Sequence, residues 1–415
     1  MLRGGENFFP EGYMEDVYIF EALRTPRGRG RPGGGLHSVT PEALIAVLVD
    51  ELVSRTSPDM RASVSRLVLG CVGQVGAQGG HIAHLAKAES GLLGNVVTRT
   101  VNNYCVSGLS AIGDTFLAAR AGENGLMLAG GVEMLSKVPF LADNAPVYAD
   151  AARSEALGWL APILGAELLA SQKGYSKREL DEVTLRSHNR AAAAWDSGRY
   201  NKSVVPVRGS NGEVLCARDE WINGELTMEH LEQRKPAFAS LGRGLAQTMM
   251  LKQHPELSEI SYVHSVANTP GLSDGAALAL MGGTEAKQKS GLTPKARILS
   301  FAEVTCHPID QFDAGPMAME KALANAGLQL NDLDLIEYME AFAAPPLAFE
   351  REYNPDMDKV NVNGGHLAMG HPMGATGAIL TANLLHELVR RDDELGMVVA
   401  LAGGGIGSAL IIERV

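Results

Sequence analysis

A single cysteine stands at Cys105 in the run Val101-Asn102-Asn103-Tyr104-Cys105-Val106-Ser107-Gly108-Leu109, between an apolar strand-like stretch and a helix-like one. Backbone N–H groups at a helix start favour negative charge, so a thiol there is expected to ionise more readily than a free one. The helix is read from Leu109, Ile112, Phe116 and Leu117 at helical spacing, closed by Ala121-Gly122. The competing reading of Cys105 is a buried small hydrophobe. Toward the other end, the glycine-rich segment from Gly364 to Gly377 carries His366 and His371 ahead of a helical run with Ile379, Leu380, Leu384, Leu385 and Leu388. An imidazole held at such a turn takes a proton from a thiol or gives one to a leaving group. Leu401-Ala402-Gly403-Gly404-Gly405-Ile406-Gly407 follows an apolar strand, and its missing side chains let backbone N–H groups approach a ligand closely. Nucleophile, base and oxyanion donors are then all on hand.

The elements around these residues must bring distant parts of the chain together, and their order suggests an internal duplication. Pro41 to Arg55 reads as a helix leading into Leu67 to Val72, and Pro316 to Ala326 as a helix leading into Leu333 to Tyr338. Cys105 precedes Gly108 and Leu128-Ala129-Gly130-Gly131, just as His371 precedes Gly374 and Leu401-Ala402-Gly403-Gly404. Alternating strands and helices predict mostly parallel sheets covered by helices, with Cys105 and His371 facing each other across the join. An insert over about 136–261 has a different texture, with the polar helical stretch Lys177 to Arg199 and the charged segment Arg218 to Glu232. Its tryptophans, Trp159, Trp195 and Trp221, are expected to pack the insert itself. Gly291-Leu292-Thr293-Pro294 marks entry to the second half, giving halves at 16–290 and 291–415.

With 415 residues, 46% of them hydrophobic, the chain has enough material for one or two large cores. A formal net charge of −12 argues against nucleic acid as a partner, which requires a concentrated basic face. Arg24, Arg27, Arg29 and Arg31 form the one dense basic cluster and are read as a solvated loop. Apolar runs fall short of the roughly 20 residues of a membrane helix, and Met1 to Asp16 lacks the apolar stretch of a signal peptide. A cytoplasmic location without membrane contact is the expectation. Cys71, Cys105, Cys216 and Cys306 show neither C-x-x-C nor zinc spacing, so reduced thiols and no metal are expected.

From about Val17 to Val415 the chain resembles the thiolase family. The matching pieces are Cys105-Val106-Ser107-Gly108, the stretch Asn268 to Ala277, Glu340-Ala341-Phe342-Ala343, Gly370-His371-Pro372 and Gly403-Gly404-Gly405. The resemblance implies two βαβαβαββ halves in a five-layered αβαβα sandwich with a loop domain inserted in the first. It implies an acyl-CoA acyltransferase in which Cys105 takes the acyl group, His371 activates it, and the amides of Cys105 and Gly403 form an oxyanion hole. CoA thioesters would be the substrates, with the nucleotide end against the insert, and the assembly a homodimer or homotetramer. Relatives carry a proton-shuttling cysteine where this chain has Leu401, a polar residue where it has Met339, and a CoA-binding serine where it has Pro270. Leucine exchanges no proton, and a thioether is at best a weak acceptor. Met339 and Leu401 are expected to line a drier pocket, and Glu340 to support the site or cap the helix near Ala343. His366 replaces a small residue, read first as a solvent-facing loop histidine and second as a substitute acid. Cys306-His307 is a further departure with no role assigned. Besides thiolysis or Claisen condensation of 3-ketoacyl-CoA, the sequence leaves open a thioester hydrolase and a non-catalytic subunit.

Overall fold

The computed structural model describes residues 15–92 and 94–415, so most of the segment from Met1 to Asp16 lies outside the described residues. Strand β1 (Val17–Arg24) leads to helix α1 (Pro41–Arg55), strand β2 (Val64–Gly70), helix α2 (Ile82–Glu89), strand β3 (Val97–Val101), helix α3 (Ser107–Arg120) and strand β4 (Leu126–Met134). The chain then leaves the sheet for helices α4 (Pro162–Lys173), α5 (Lys177–Asp196) and α6 (Leu245–Gln253) and returns in strand β5 (Ser273–Gly283). Strand β6 (Ala296–Thr305), helix α7 (Ala314–Ala326), strand β7 (Leu335–Tyr338), helices α8 (Ala344–Tyr353) and α9 (Thr376–Arg391), and strands β8 (Leu395–Ala402) and β9 (Ile406–Arg414) follow.

Local chemistry starts these helices where the sequence places them. Thr40 caps α1 by accepting from the Ala43 amide at 3.4 Å, with Pro41 in the first turn. Ser176 and Glu179 form a reciprocal capping box at the start of α5. Along β4, Met127 and Ala129 enter one core while Leu126, Leu128 and Val132 enter another, the two-residue alternation of a strand covered on both faces.

The strands run β7-β8-β9-β6-β1-β5-β4-β2-β3. The two halves meet edge to edge where β1 pairs with β6, through Tyr18 with Arg297 and Ile19 with Ala296. Helices α3 and α9 pack on each other and touch strands of both halves, forming a central layer. Helices α1 and α2 cover the outer face of the first half, and α7 covers that of the second. Five layers result, as expected.

Pairing differs from the expectation of mostly parallel strands. β2/β3, β2/β4 and β7/β8 are parallel, whereas β1/β5, β1/β6, β4/β5, β8/β9 and β6/β9 are antiparallel. The glycine turn after Ala402 is far too short for the crossover that a parallel neighbour demands, so β9 must return beside β8. Among the described residues no helix is long and apolar enough to cross a membrane.

Candidate active site

Cys105 sits on the turn between β3 and α3, where Tyr104 holds a left-handed φ of 48°. A non-glycine residue in that region is strained and persists only when its surroundings fix it. Here the Asn103 amide donates to Ser107 Oγ at 2.8 Å, and that hydroxyl donates to the Tyr104 carbonyl at 2.5 Å. The turn aims the Cys105 side chain into a cavity of about 640 Å³ that His371, Leu401 and Gly403 also line.

The N–H groups of Gly403 and of Cys105 itself are directed at the sulfur. They do not make it acidic. Burial, and then the Glu133 carboxylate, push the Cys105 thiol up to about 12 against the pull of the two amides. The expectation of a readily ionised thiol is therefore overturned, because desolvation outweighs the helix start. Iodoacetamide labelling of Cys105, followed by peptide mass, should accelerate about ten-fold per pH unit from about pH 7 to 10, as the thiolate fraction does. A plateau below about pH 8 would contradict it.

His371 is held by its backbone and by its ring. Its amide donates to the Gly271 carbonyl at 2.8 Å, and Arg27 Nη1 donates to the preceding carbonyl of Gly370 at 2.9 Å. Gly370 has φ of 90°, and a Cβ there would lie 2.0 Å from Ser273 Oγ, so only glycine fits. Nδ1 of His371 lies 2.8 Å from Thr376 Oγ1. Burial, then the Arg27 charge, lower the His371 pKa to about 3, which keeps the imidazole neutral, with a lone pair free to accept a proton, but makes it a weak base. Among the described residues, the thiol makes no hydrogen bond to His371; it donates to Met373 Sδ, at 3.9 Å.

Other expected site residues divide sharply. Leu401 and Pro270 line the cavity, but Met339, Glu340 and His366 do not. Met339 is fully buried in the main core, its amide bonded to the Val399 carbonyl at 2.9 Å, and Ala341 and Phe342 form the wall instead. Glu340 is buried, accepting from Ser187 Oγ at 2.6 Å and from the Leu367 amide at 3.1 Å. It ties the turn before His371 to α5 and does not cap α8, which starts without a side-chain cap. His366 is fully buried rather than solvent-facing, edge-on to His371 with ring centroids 5.5 Å apart, and among the described residues neither ring nitrogen has a hydrogen-bond partner. Burial, then the charges of Arg27, His371 and Arg24, hold its pKa well below the usual histidine range. Cys306 donates to the Asp310 carbonyl at 3.2 Å and does not line the cavity.

The basic cluster is no solvated loop. Arg24 and Arg27 are fully buried, and Arg24 forms a fork with Asp219 at 2.8 and 3.0 Å, a geometry that offsets the cost of burying both charges. Arg31 is exposed and lines a second groove of about 1060 Å³, with Trp221, His230 and Arg234. Thr269, Pro270 and Leu272 belong to the walls of both groove and cavity. Trp159 lines the cavity, contrary to the expectation that it packs only the insert.

Sequence reasoning passed over Glu133 and Thr376, and it read Arg27 as surface charge with no part in the site. The carboxylate of Glu133 accepts from the amides of Val72, Gly73 and Gly374 at 2.8, 3.0 and 3.0 Å, stitching the histidine loop to the first half. A lone acid in the otherwise apolar strand Leu126–Met134 was the signal that could have found it.

The thiolase N-terminal domain model matches residues 17–249, and the thiolase C-terminal domain model matches residues 292–414. The β-ketoadipyl-CoA thiolase of Pseudomonas putida is 34% identical over 97% of the chain and 100% of its own length. The 3-ketoacyl-CoA thiolase of Cronobacter sakazakii is 36% identical over 97% and 100%. Among solved structures, the acetyl-CoA acetyltransferase of Bacillus anthracis superposes with a TM-score of 0.82 at 32% identity, covering 97% of this chain and 99% of that one. Human mitochondrial 3-ketoacyl-CoA thiolase in complex with CoA superposes at 0.83 with 29% identity, covering 97% and 98%.

Proposed function

Because the chain belongs to the thiolase family of acyltransferases, we propose that it transfers acyl groups between CoA and carbon through a thioester on Cys105, with His371 handling every proton. The observation that carries this reading is the convergence of the Gly403 and Cys105 amides on one sulfur, in a cavity that His371 also lines. In thiolysis, a 3-ketoacyl-CoA enters the cavity with its keto carbon against the sulfur. With the His371 proton on Nδ1 and donated to Thr376 Oγ1, Nε2 takes the thiol proton as sulfur bonds to C3. The C2–C3 bond then breaks and its electron pair passes to C2 of the departing acetyl-CoA. Leu401 has no proton to give, so the imidazolium returns its own to C2, and a CoA thiol next takes the acyl group from Cys105. The amides of Cys105 and Gly403 stabilise the negative oxygen that C3 carries while it is bonded to both the sulfur and C2.

One imidazole doing two tasks should be slower than a dedicated pair, since a well-placed acid or base contributes about 10²–10⁴-fold. Thr376→Val keeps the shape of the side chain and loses the partner of Nδ1. It should cut kcat about ten-fold with little change in KM, in steady-state thiolysis, as expected for one hydrogen bond.

Water as acceptor would make the chain a hydrolase. The apolar walls of the cavity favour a thiol carried in by CoA over free water. The second groove fits the arm and nucleotide of CoA: Arg31 and Arg234 supply charge for phosphates, and the Trp221 indole a stacking face. The same proposal divides the chain at 290/291, so that 16–290 gives Cys105 and 291–415 gives His371, with the insert at about 136–261. It also places the protein in the cytoplasm as a homodimer or homotetramer.

The test is incubation with acyl-CoA and with 3-ketoacyl-CoA, reading acyl mass on the Cys105 peptide and identifying every product. An acyl adduct that clears on adding CoA is expected. Absence of both adduct and turnover removes the proposal, and free acid as the main product moves it to hydrolysis.

A further inference from the structure

The wall of the cavity is specific about what it accepts. Beyond Cys105 and His371 its surface is largely hydrocarbon: Trp159 and Ile163 come from the insert before α5, Met249 from α6, and Phe312 and Leu401 from the second half. Among the described residues three hydroxyl groups belong to the wall, and all already donate inside the protein, Tyr148 to Asp143 at 3.0 Å, Ser154 to the Val147 carbonyl at 2.6 Å and Thr269 to the Val266 carbonyl at 2.8 Å. Arg243 is the one side chain with a permanent charge among the described lining residues, and it is exposed. A carboxylate at the far end of an acyl chain would therefore meet no buried cation, and burying it unpaired is prohibitively costly. At about 640 Å³ the cavity falls in the range that encloses a drug-sized ligand, far beyond an acetyl group. At its mouth Leu241 and Leu245 are 53% and 38% exposed, apolar surface that a long substrate would cover.

We propose that the acyl group this site carries is a large hydrocarbon, a long or ring-bearing chain without a terminal charge, in preference to acetoacetyl or dicarboxylic substrates. The inference rests on the acyl-transfer reading and names its substrate class. Each methylene moved from water to the wall strengthens binding about three- to four-fold. Six added methylenes should then raise kcat/KM on the order of 10²-fold or more, until the cavity is filled.

The experiment compares 3-oxodecanoyl-CoA, a cyclohexyl-bearing 3-oxoacyl-CoA, acetoacetyl-CoA and 3-oxoadipyl-CoA in thiolysis, alongside Kd values of decanoyl-CoA and acetyl-CoA for the Cys105→Ala protein. The two apolar substrates should exceed acetoacetyl-CoA by at least about 100-fold in kcat/KM, 3-oxoadipyl-CoA should fall at or below acetoacetyl-CoA, and decanoyl-CoA should bind at least about 30-fold more tightly than acetyl-CoA. Leu245→Glu, at a position that tolerates charge, should narrow the first ratio by about ten-fold. Equal Kd values, or a 3-oxoadipyl preference, overturn the inference whether or not Cys105 becomes acylated. Missing adducts with the expected Kd ratio overturn the acyl-enzyme and leave the substrate class standing.

Discussion

Replacing Cys105 with alanine is expected to abolish the acyl adduct and to lower kcat on the order of 10⁴-fold or more, as removal of a nucleophile does elsewhere. Among the described residues no other cysteine lines the cavity. Cys71 is fully buried with its thiol 3.8 Å from Glu133 Oε1, and Cys306 lies outside the cavity. Because the substitution removes one atom at a partly exposed wall position, the melting temperature should move by no more than a few degrees. The measurement is single-turnover acylation with radiolabelled acyl-CoA, together with steady-state thiolysis. Retention of more than about 1% of the rate would place the nucleophile elsewhere. His371→Ala should slow acylation less than Cys105→Ala does, because a thiol titrating near 12 still forms a little thiolate as pH rises, so its deficit should shrink in alkaline buffer. A deficit independent of pH would count against His371 as the base.

Residues that announce themselves by type and spacing were legible in the chain itself. Cys105, His371 and the glycine turn at 403 lie at one cavity because each sits at the end of a strand or the start of a helix in equivalent places of the two halves. What failed depended on burial, which spacing does not encode. Arg24 and Arg27 look like surface charge until Asp219, some two hundred positions away, closes a buried fork on Arg24. His366 lies in a glycine-rich stretch that reads as open loop, yet α5 covers it, with Ser187 and Glu340 pinning the turn. The acidity of the Cys105 thiol was misjudged for the same reason. A helix start is visible in sequence, whereas the dry surroundings and Glu133 beneath it emerge only when the layers close. Strand direction also escaped, since connection length through the insert between β4 and β5 says nothing about which way the chain returns.

Leu401→Cys should act in the opposite direction and raise turnover by about 10²-fold, at the lower end of what one well-placed acid–base group supplies. Leu401 is fully buried at the end of β8, lines the cavity with Cys105 and His371, and packs so closely on α7 that a Cβ at Gly315 would lie 2.8 Å from its Cδ2. A cysteine is smaller and fits without shifting the helix, at a cost of about 2 kcal/mol for the space left behind. Its thiol would stay protonated in neutral buffer, because burial raises every cysteine in this chain whose shift is resolved, including Cys216 to about 12 and Cys306 to about 11. A protonated thiol beside the reacting carbon can deliver the proton that His371 must otherwise return, so the gain belongs to carbon–carbon cleavage and condensation and not to acylation. Acylation by a simple acyl-CoA, which forms no carbanion, should therefore change less than about three-fold. Leu401→Ser separates acid chemistry from added space, since a hydroxyl of similar size is too weak an acid to replace the thiol and should give no gain. Equal acceleration by serine and cysteine would assign the effect to cavity volume. No acceleration by cysteine would mean that proton delivery to the departing carbon is already fast, which is the outcome expected if His371 performs both transfers without penalty.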